Sequence, residues 1–230
     1  NLVKLTTLSH LNGMRGRGIF SRPCIDKRLL QKYKEGLIIS TACLGGEIPQ
    51  ATLKGRIDVA ENTAKWYQKT FGEDFYLEIQ DHGSIEDRVA NIEIIRIGKK
   101  HGIKVIATND AHYISNKDVG AHDALLCVLT GKLISDQKRL RYTGTEYIKG
   151  EEEMLNLFRD HIDTETIRDA IKNTTEISNK VETYELFGEY RMPKYPLLKN
   201  KKAIDFLREV SEDGLKRRLF KTTFEAVSYT

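Results

Sequence analysis

At 230 residues the chain is long enough for one sizeable domain, or for one domain and part of a second. A hydrophobic content of 40% supplies a core and excludes disorder as the main state, and no run approaches the roughly 18 apolar residues of a membrane span. The 37 lysines and arginines against 33 aspartates and glutamates leave a net charge of +4, which permits a nucleic-acid partner without requiring one.

Three short apolar runs read as buried strands: residues 37–42, 75–79 and 103–108. Between the first two, Ala60, Ala64, Tyr67 and Phe71 recur at spacings of four, three and four, the mark of one helical face, and Gly72 follows as a cap. A second helix is expected over Glu86–His101, with Val89, Ile92 and Ile95 inward and Gly102 ending it. Strand, helix, strand, helix, strand in close succession implies parallel pairing and an α/β fold. After Tyr113 the pattern becomes helical, through Val119–Leu129, Met154–Phe158 and Ile167–Val181. Pro193 and Pro196 force extended backbone and set a boundary: a first domain over 1–190, a linker over 191–198, and a new helical region over 199–230.

Each strand runs into polar residues: Thr41–Gly46, Gln80–Gly83 and Asn109–Tyr113. In parallel α/β sheets these C-terminal ends share one face, so the loops can converge on one site. Asp110 and His112 are two apart, which in extended backbone directs a carboxylate and an imidazole to one side, where they suit Zn²⁺, Mn²⁺ or Fe²⁺. The plainer alternative is that Asp110 caps a turn and His112 packs. Cys43 is a small apolar filler or a ligand, placed just ahead of Gly45-Gly46. His82 is a ligand, a group contacting phosphate, or a turn residue before Gly83. His10, His101, His122 and His161 read as structural, and basic clusters at 15–17, 138–141, 199–202 and 216–218 read first as solvated surface. Cys24, Cys43 and Cys127 make no disulfide framework, and with the absence of a signal-like start they suit a cytoplasmic protein without a membrane.

The strings STACLGGEIPQ, FYLEIQDHG and KVIATNDAHY, in this order, resemble the PHP (polymerase and histidinol phosphatase) domain of bacterial replicative DNA polymerase III alpha subunits, the cyanobacterial type most of all. NLVKLTTLSHLNG, AHDALLCVLTGK, RLRYTGTEYIKG and MPKYP followed by DFLREVSEDGLKRRL agree with it. The resemblance implies a (β/α)7 TIM-like barrel, here lacking its first strands, followed by the helical start of the polymerase core. It implies a cluster of divalent metal ions (Zn, Mn, Fe or Mg) at the barrel mouth, with Cys43, Asp110 and His112 as ligands and His82 at or beside them in a catalytic position. It further implies a parent chain that is a DNA-directed DNA polymerase, with a metal-dependent 3'-5' exonuclease or phosphoesterase in this domain, and with DNA and other replisome subunits as partners. The family's first ligands, an H-x-H and a T-D-H motif, are expected upstream of residue 1 and the polymerase aspartates beyond residue 230, so the segment alone is expected to be inactive. The alternative is a non-catalytic module that braces the polymerase and docks replisome partners. A free-standing small-molecule phosphatase is disfavoured by the chain continuing past residue 196.

Overall fold

The computed structural model describes residues 1–15, 22–185, 187–190, 192, 195–197 and 201–222. Gly16 and Arg17 of the first basic cluster, Pro193 of the expected linker and Lys199 of the third cluster lie outside them. The chain forms two compact units, 1–182 and 183–230.

The first unit opens with α1 (Leu2–Asn12), an antiparallel pair of β1 (Met14–Arg15) with β2 (Arg22–Pro23), and α2 (Lys27–Lys32). Asp26 caps α2 by accepting the Leu29 N–H at 2.8 Å. Then come β3 (Ile39–Ser40), α3 (Glu47–Leu53), α4 (Ile57–Phe71), β4 (Phe75–Ile79), α5 (Ile85–His101) and β5 (Val105–Ala107). The three strands form one parallel sheet in the order β3-β4-β5. Every residue of β4 is buried, as a central strand covered on both faces requires.

The strands are those the apolar runs predict, but β3 is shorter than its run for a definable reason. The Glu78 N–H donates to the Thr41 hydroxyl at 2.8 Å, so a side chain takes over where a ladder carbonyl would sit. The backbone then leaves the sheet through Ala42, whose φ of 58° is left-handed.

On α4, Ala60 and Ala64 are fully buried and Tyr67 stacks on Phe75 at 5.3 Å between ring centroids. Ser84 caps α5 by accepting from the Asp87 N–H, and Gly102 ends it in the left-handed conformation. The inward face of α5 differs from the expected one. Ile95 is buried as expected, but Val89 and Ile92 are about half exposed, whereas Ala90, Asn91, Ile94, Ile97 and Gly98 are buried. Close approach decided this: a Cβ on Gly98 would lie 2.9 Å from Val105 Cγ2 and 3.0 Å from the Ile103 carbonyl oxygen. Only the face bearing alanine and glycine fits that near the sheet.

Three further helices complete this unit: α6 (Val119–Thr130), α7 (Glu151–Phe158) and α8 (Thr164–Lys180). Met154, Leu155 and Phe158 of α7 and Ile167 and Ala170 of α8 enter the core, and Asn173 of α8 donates to the Val105 carbonyl at 2.8 Å. The second unit carries α9 (Ala203–Thr222), and Tyr195 stacks on Phe206 at 5.4 Å.

Candidate metal centre at the strand ends

Parallel pairing sends the C-terminal ends of β3, β4 and β5 to the same side, and each strand places one candidate ligand three residues beyond its end: Cys43, His82 and Asp110. Neighbouring strands lie about 4.8 Å apart, so Cys43 and Asp110 leave the sheet about 10 Å from each other with His82 between them.

A buried carboxylate that the sequence reading did not single out, Glu78 on β4, ties the three ends together. Its Oε2 accepts from the Ser40 hydroxyl at 2.5 Å and the Ala42 N–H at 3.1 Å. Its Oε1 accepts from Gln80 Nε2 at 3.0 Å and the Thr108 hydroxyl at 2.5 Å. All four partners are donors, so both carboxylate oxygens are satisfied. A charged residue in the middle of the apolar run FYLEI was the available signal.

The turn after β4 is fixed just as firmly. Asp81 Oδ1 accepts the Gly83 N–H at 2.6 Å, and Asp87 accepts the His82 N–H at 3.1 Å. The His82 ring is mostly buried, and its Nε2 has no hydrogen-bond partner. That nitrogen lies 3.6 Å from Asp110 Oδ2, while Asp110 Oδ1 lies 3.6 Å from His112 Nε2. Asp110 thus stands between two imidazoles, and it reaches this position with a left-handed φ of 47°. The His112 ring is 4.4 Å from Tyr142 and 5.9 Å from His122, so His122 belongs to the aromatic support of this loop.

The segment 143–149 closes the site from the side. Asn109 accepts the Lys149 N–H at 3.1 Å, and the Glu146 carbonyl accepts the His112 N–H at 2.8 Å. The Glu146 carboxylate is buried, with His82 Nδ1 3.8 Å away. Burial pushes its carboxyl up, but the Thr143 hydroxyl, backbone N–H donors and the Tyr113 hydroxyl outweigh this and hold it at about 2. Thr145 Oγ1 meets His82 Nδ1 at 3.1 Å.

The structure therefore pairs Asp110 with His82 on one carboxylate oxygen and with His112 on the other. Cys43 is exposed, rather than buried as apolar filler, and shares no hydrogen bond or ion pair with those three. The intervening strand is the physical reason, since the Cys43 loop opens on the far side of His82.

His161, expected to be structural, sits in a second group. Ligand atoms of Asp81, Asp160 and His161 all lie within 4.8 Å of one another, close enough to enclose a cation, and Asp81 Oδ2 is buried without a partner. Burial raises the Asp81 carboxyl above its ordinary range, against the opposing pull of the Gly83 N–H. The surrounding bonds limit a cation here. Asn91 donates to the Gln80 carbonyl at 2.8 Å and turns its amide toward His161 Nε2 at 3.4 Å, which makes Nε2 an acceptor and leaves the ring proton on Nδ1, 2.6 Å from Asp160. Arg88 neutralises the other Asp160 oxygen at 2.6 Å.

Residues 1–82 match the PHP domain family, a stretch that includes Cys43 and His82 and stops short of Asp110 and His112. The chain is 37% identical over 221 residues to a protein of Borreliella burgdorferi named DNA polymerase III subunit alpha, covering 95% of this chain and 18% of that protein. Proteins of the same name from Thermus aquaticus (34% over 222 residues, 95% and 18%) and Campylobacter jejuni (36% over 225 residues, 93% and 17%) match likewise. The chain spans less than a fifth of the length of these relatives. With the parallel α/β fold and a PHP match that reaches through His82, this likeness over nearly the whole chain places it in the family of PHP-containing DNA polymerase III alpha subunits.

Proposed function

We propose that the strand-end centre holds divalent cations and that, in the parent polymerase, it hydrolyses phosphodiester bonds at DNA 3' ends. One observation carries this reading. His82 Nε2 is buried without a hydrogen-bond partner and faces the Asp110 carboxylate at 3.6 Å, with His112 on the other carboxylate oxygen. A nitrogen-and-oxygen donor set of this kind, two imidazoles about one carboxylate, suits Zn, Mn or Fe, and with more oxygen ligands Mg. Cys43 would add a thiolate from the β3 end. A bound cation there would supply neutralising charge for a phosphodiester. The protein's own part is positional: Asp110 spaces the two imidazoles, Glu78 fixes the loops that carry Cys43 and Asp110, and the clasp at 143–149 holds the rings in place.

The same reading takes the sheet β3-β4-β5 as part of a (β/α)7 TIM-like barrel, with the domain running to about residue 190, a linker over 191–198 and the polymerase core beginning thereafter. The change of compact unit after residue 182 supports a boundary in this region. DNA and other replisome subunits are the partners of the parent chain, and the cytoplasm is its place. No helix among the described residues is long and apolar enough to cross a membrane.

The test is made on the full-length chain. Asp110→Asn combined with His112→Ala is expected to abolish metal-dependent trimming of 3' ends and to leave polymerisation intact. Equal trimming by the purified double variant refutes the assignment. Bound metal without any trimming by the unaltered protein supports the second reading, a bracing module, which the closed Glu78 network favours.

A further inference from the structure

The Thr143-Gly144-Thr145-Glu146 turn contacts His82 through the ring nitrogen that faces away from Asp110, and its hydroxyl protons can be followed one by one. Glu146 Oε1 accepts the Thr143 N–H at 3.0 Å and the Thr143 hydroxyl at 2.7 Å, and Oε2 accepts the Gly144 N–H at 3.0 Å and the Tyr113 hydroxyl at 3.1 Å. A carboxylate with four donors is an acceptor only, so the single proton of the Thr143 hydroxyl is committed to it. Thr143 Oγ1 and Thr145 Oγ1 lie 2.7 Å apart, and the proton between them must then come from Thr145. Thr145 has none left for His82. The 3.1 Å contact between Thr145 Oγ1 and His82 Nδ1 is therefore made by a proton on the ring.

We infer that Glu146, Thr143 and Thr145 form a hydroxyl relay that fixes His82 as the Nδ1–H tautomer, so that the Nε2 lone pair is presented to a divalent cation shared with Asp110. The inference rests on the metal-centre reading above and assigns it three positioning residues. Which imidazole nitrogen binds a metal is set by the hydrogen bond of the other, and outer partners of this kind are worth about ten- to hundredfold in metal affinity. The relay also joins the two halves of the centre: the residue that sets the His82 proton from its carboxylate holds the His112 backbone N–H from its carbonyl at 2.8 Å.

Thr145→Val removes the hydroxyl and keeps the branched shape; Thr145→Ser keeps the hydroxyl. In the full-length chain, Zn²⁺ and Mn²⁺ affinities are measured by chelator competition for wild type and both variants, and again in a His82→Ala background. In parallel, the metal-free protein carrying ¹⁵N-histidine is examined by NMR, with His82 assigned by its loss in His82→Ala. The relay predicts a Nδ1–H signal for His82 in wild type and in Thr145→Ser, and its loss in Thr145→Val. It also predicts a ten- to hundredfold loss of affinity in Thr145→Val and no further loss once His82 is absent. An unchanged tautomer in Thr145→Val overturns the relay, as does an equal affinity loss with and without His82. A wild-type protein with the Nδ1–H tautomer that takes up no cation supports the relay and overturns the metal-centre reading.

Discussion

Ala42 and Asp110, described with left-handed backbone at φ 58° and 47°, stand at the two strand ends that flank His82. For a side-chain-bearing residue this conformation costs on the order of 1 kcal/mol, and it persists only where surrounding bonds hold it. At Ala42 the holder is Glu78, which accepts its N–H. Ala42→Gly is therefore expected to stabilise the protein by about 0.5–1 kcal/mol in urea denaturation, and a loss of stability would show that Ala42 is unstrained. Glu78→Gln would turn an amide N–H₂ toward donors that now find a carboxylate oxygen. Its expected cost is about 1–3 kcal/mol, read from the same denaturation midpoint, and a neutral result would mean that water replaces the lost acceptor. Residue chemistry also shows the limits of pattern reading. Asp110 and His112 were visible as a two-residue spacing, whereas Glu146 lies 36 residues beyond Asp110 in sequence and meets the site only through a turn.

At the scale of elements, the packing of α5 rests on Gly98. Adding a methyl group there would press on Val105 and on the Ile103 carbonyl, which are sheet and backbone and cannot yield easily. Gly98→Ala is expected to destabilise by about 1–3 kcal/mol despite its better helix propensity, measured by the thermal midpoint. An increase in that midpoint would mean that the helix has room above the sheet for the added methyl group. On the other side of the site, the segment after α6 returns through Arg139, whose side chain is buried and grips Asp123 with both nitrogens, one pair at 2.6 Å. One member of the basic cluster at 138–141 is thus an internal tie and not a contact for nucleic acid. The Arg139 guanidinium holds the Asp123 carboxyl below its ordinary 3.8. A depressed carboxylate contributes stability that is present above its unfolded value and is lost as pH falls through the folded one. The stability gap between wild type and Asp123→Asn should accordingly be full at pH 7 and shrink below pH 3.8; a gap that stays constant to pH 2 would count against the pair.

For the whole molecule, a cation held by the folded protein alone stabilises it by mass action, about 2.7 kcal/mol at a hundred times the dissociation constant. Added Zn²⁺ or Mn²⁺ is expected to raise the thermal midpoint of the full-length chain, and Asp110→Asn with His112→Ala to remove that shift. A shift retained in the double variant would direct attention to Asp81, Asp160 and His161 instead.

The amino-acid sequence determined the parallel α/β arrangement, because β-branched runs, helical spacings and the caps at Gly72 and Gly102 are local properties that survive any tertiary context. It also determined that Cys43, His82 and Asp110 follow strand ends, since that requires only the strand boundaries. The tertiary structure decided which of them meet. Strand order put β4 in the centre, made His82 the neighbour of Asp110 and left Cys43 on the other side. It likewise turned the face of α5 that carries Ala90, Ile94, Ile97 and Gly98 to the sheet and left Val89 and Ile92 half exposed, and it brought Glu146 to His82 from a distant turn. These outcomes depend on distances between segments far apart in the chain, and no local pattern of residues encodes such distances.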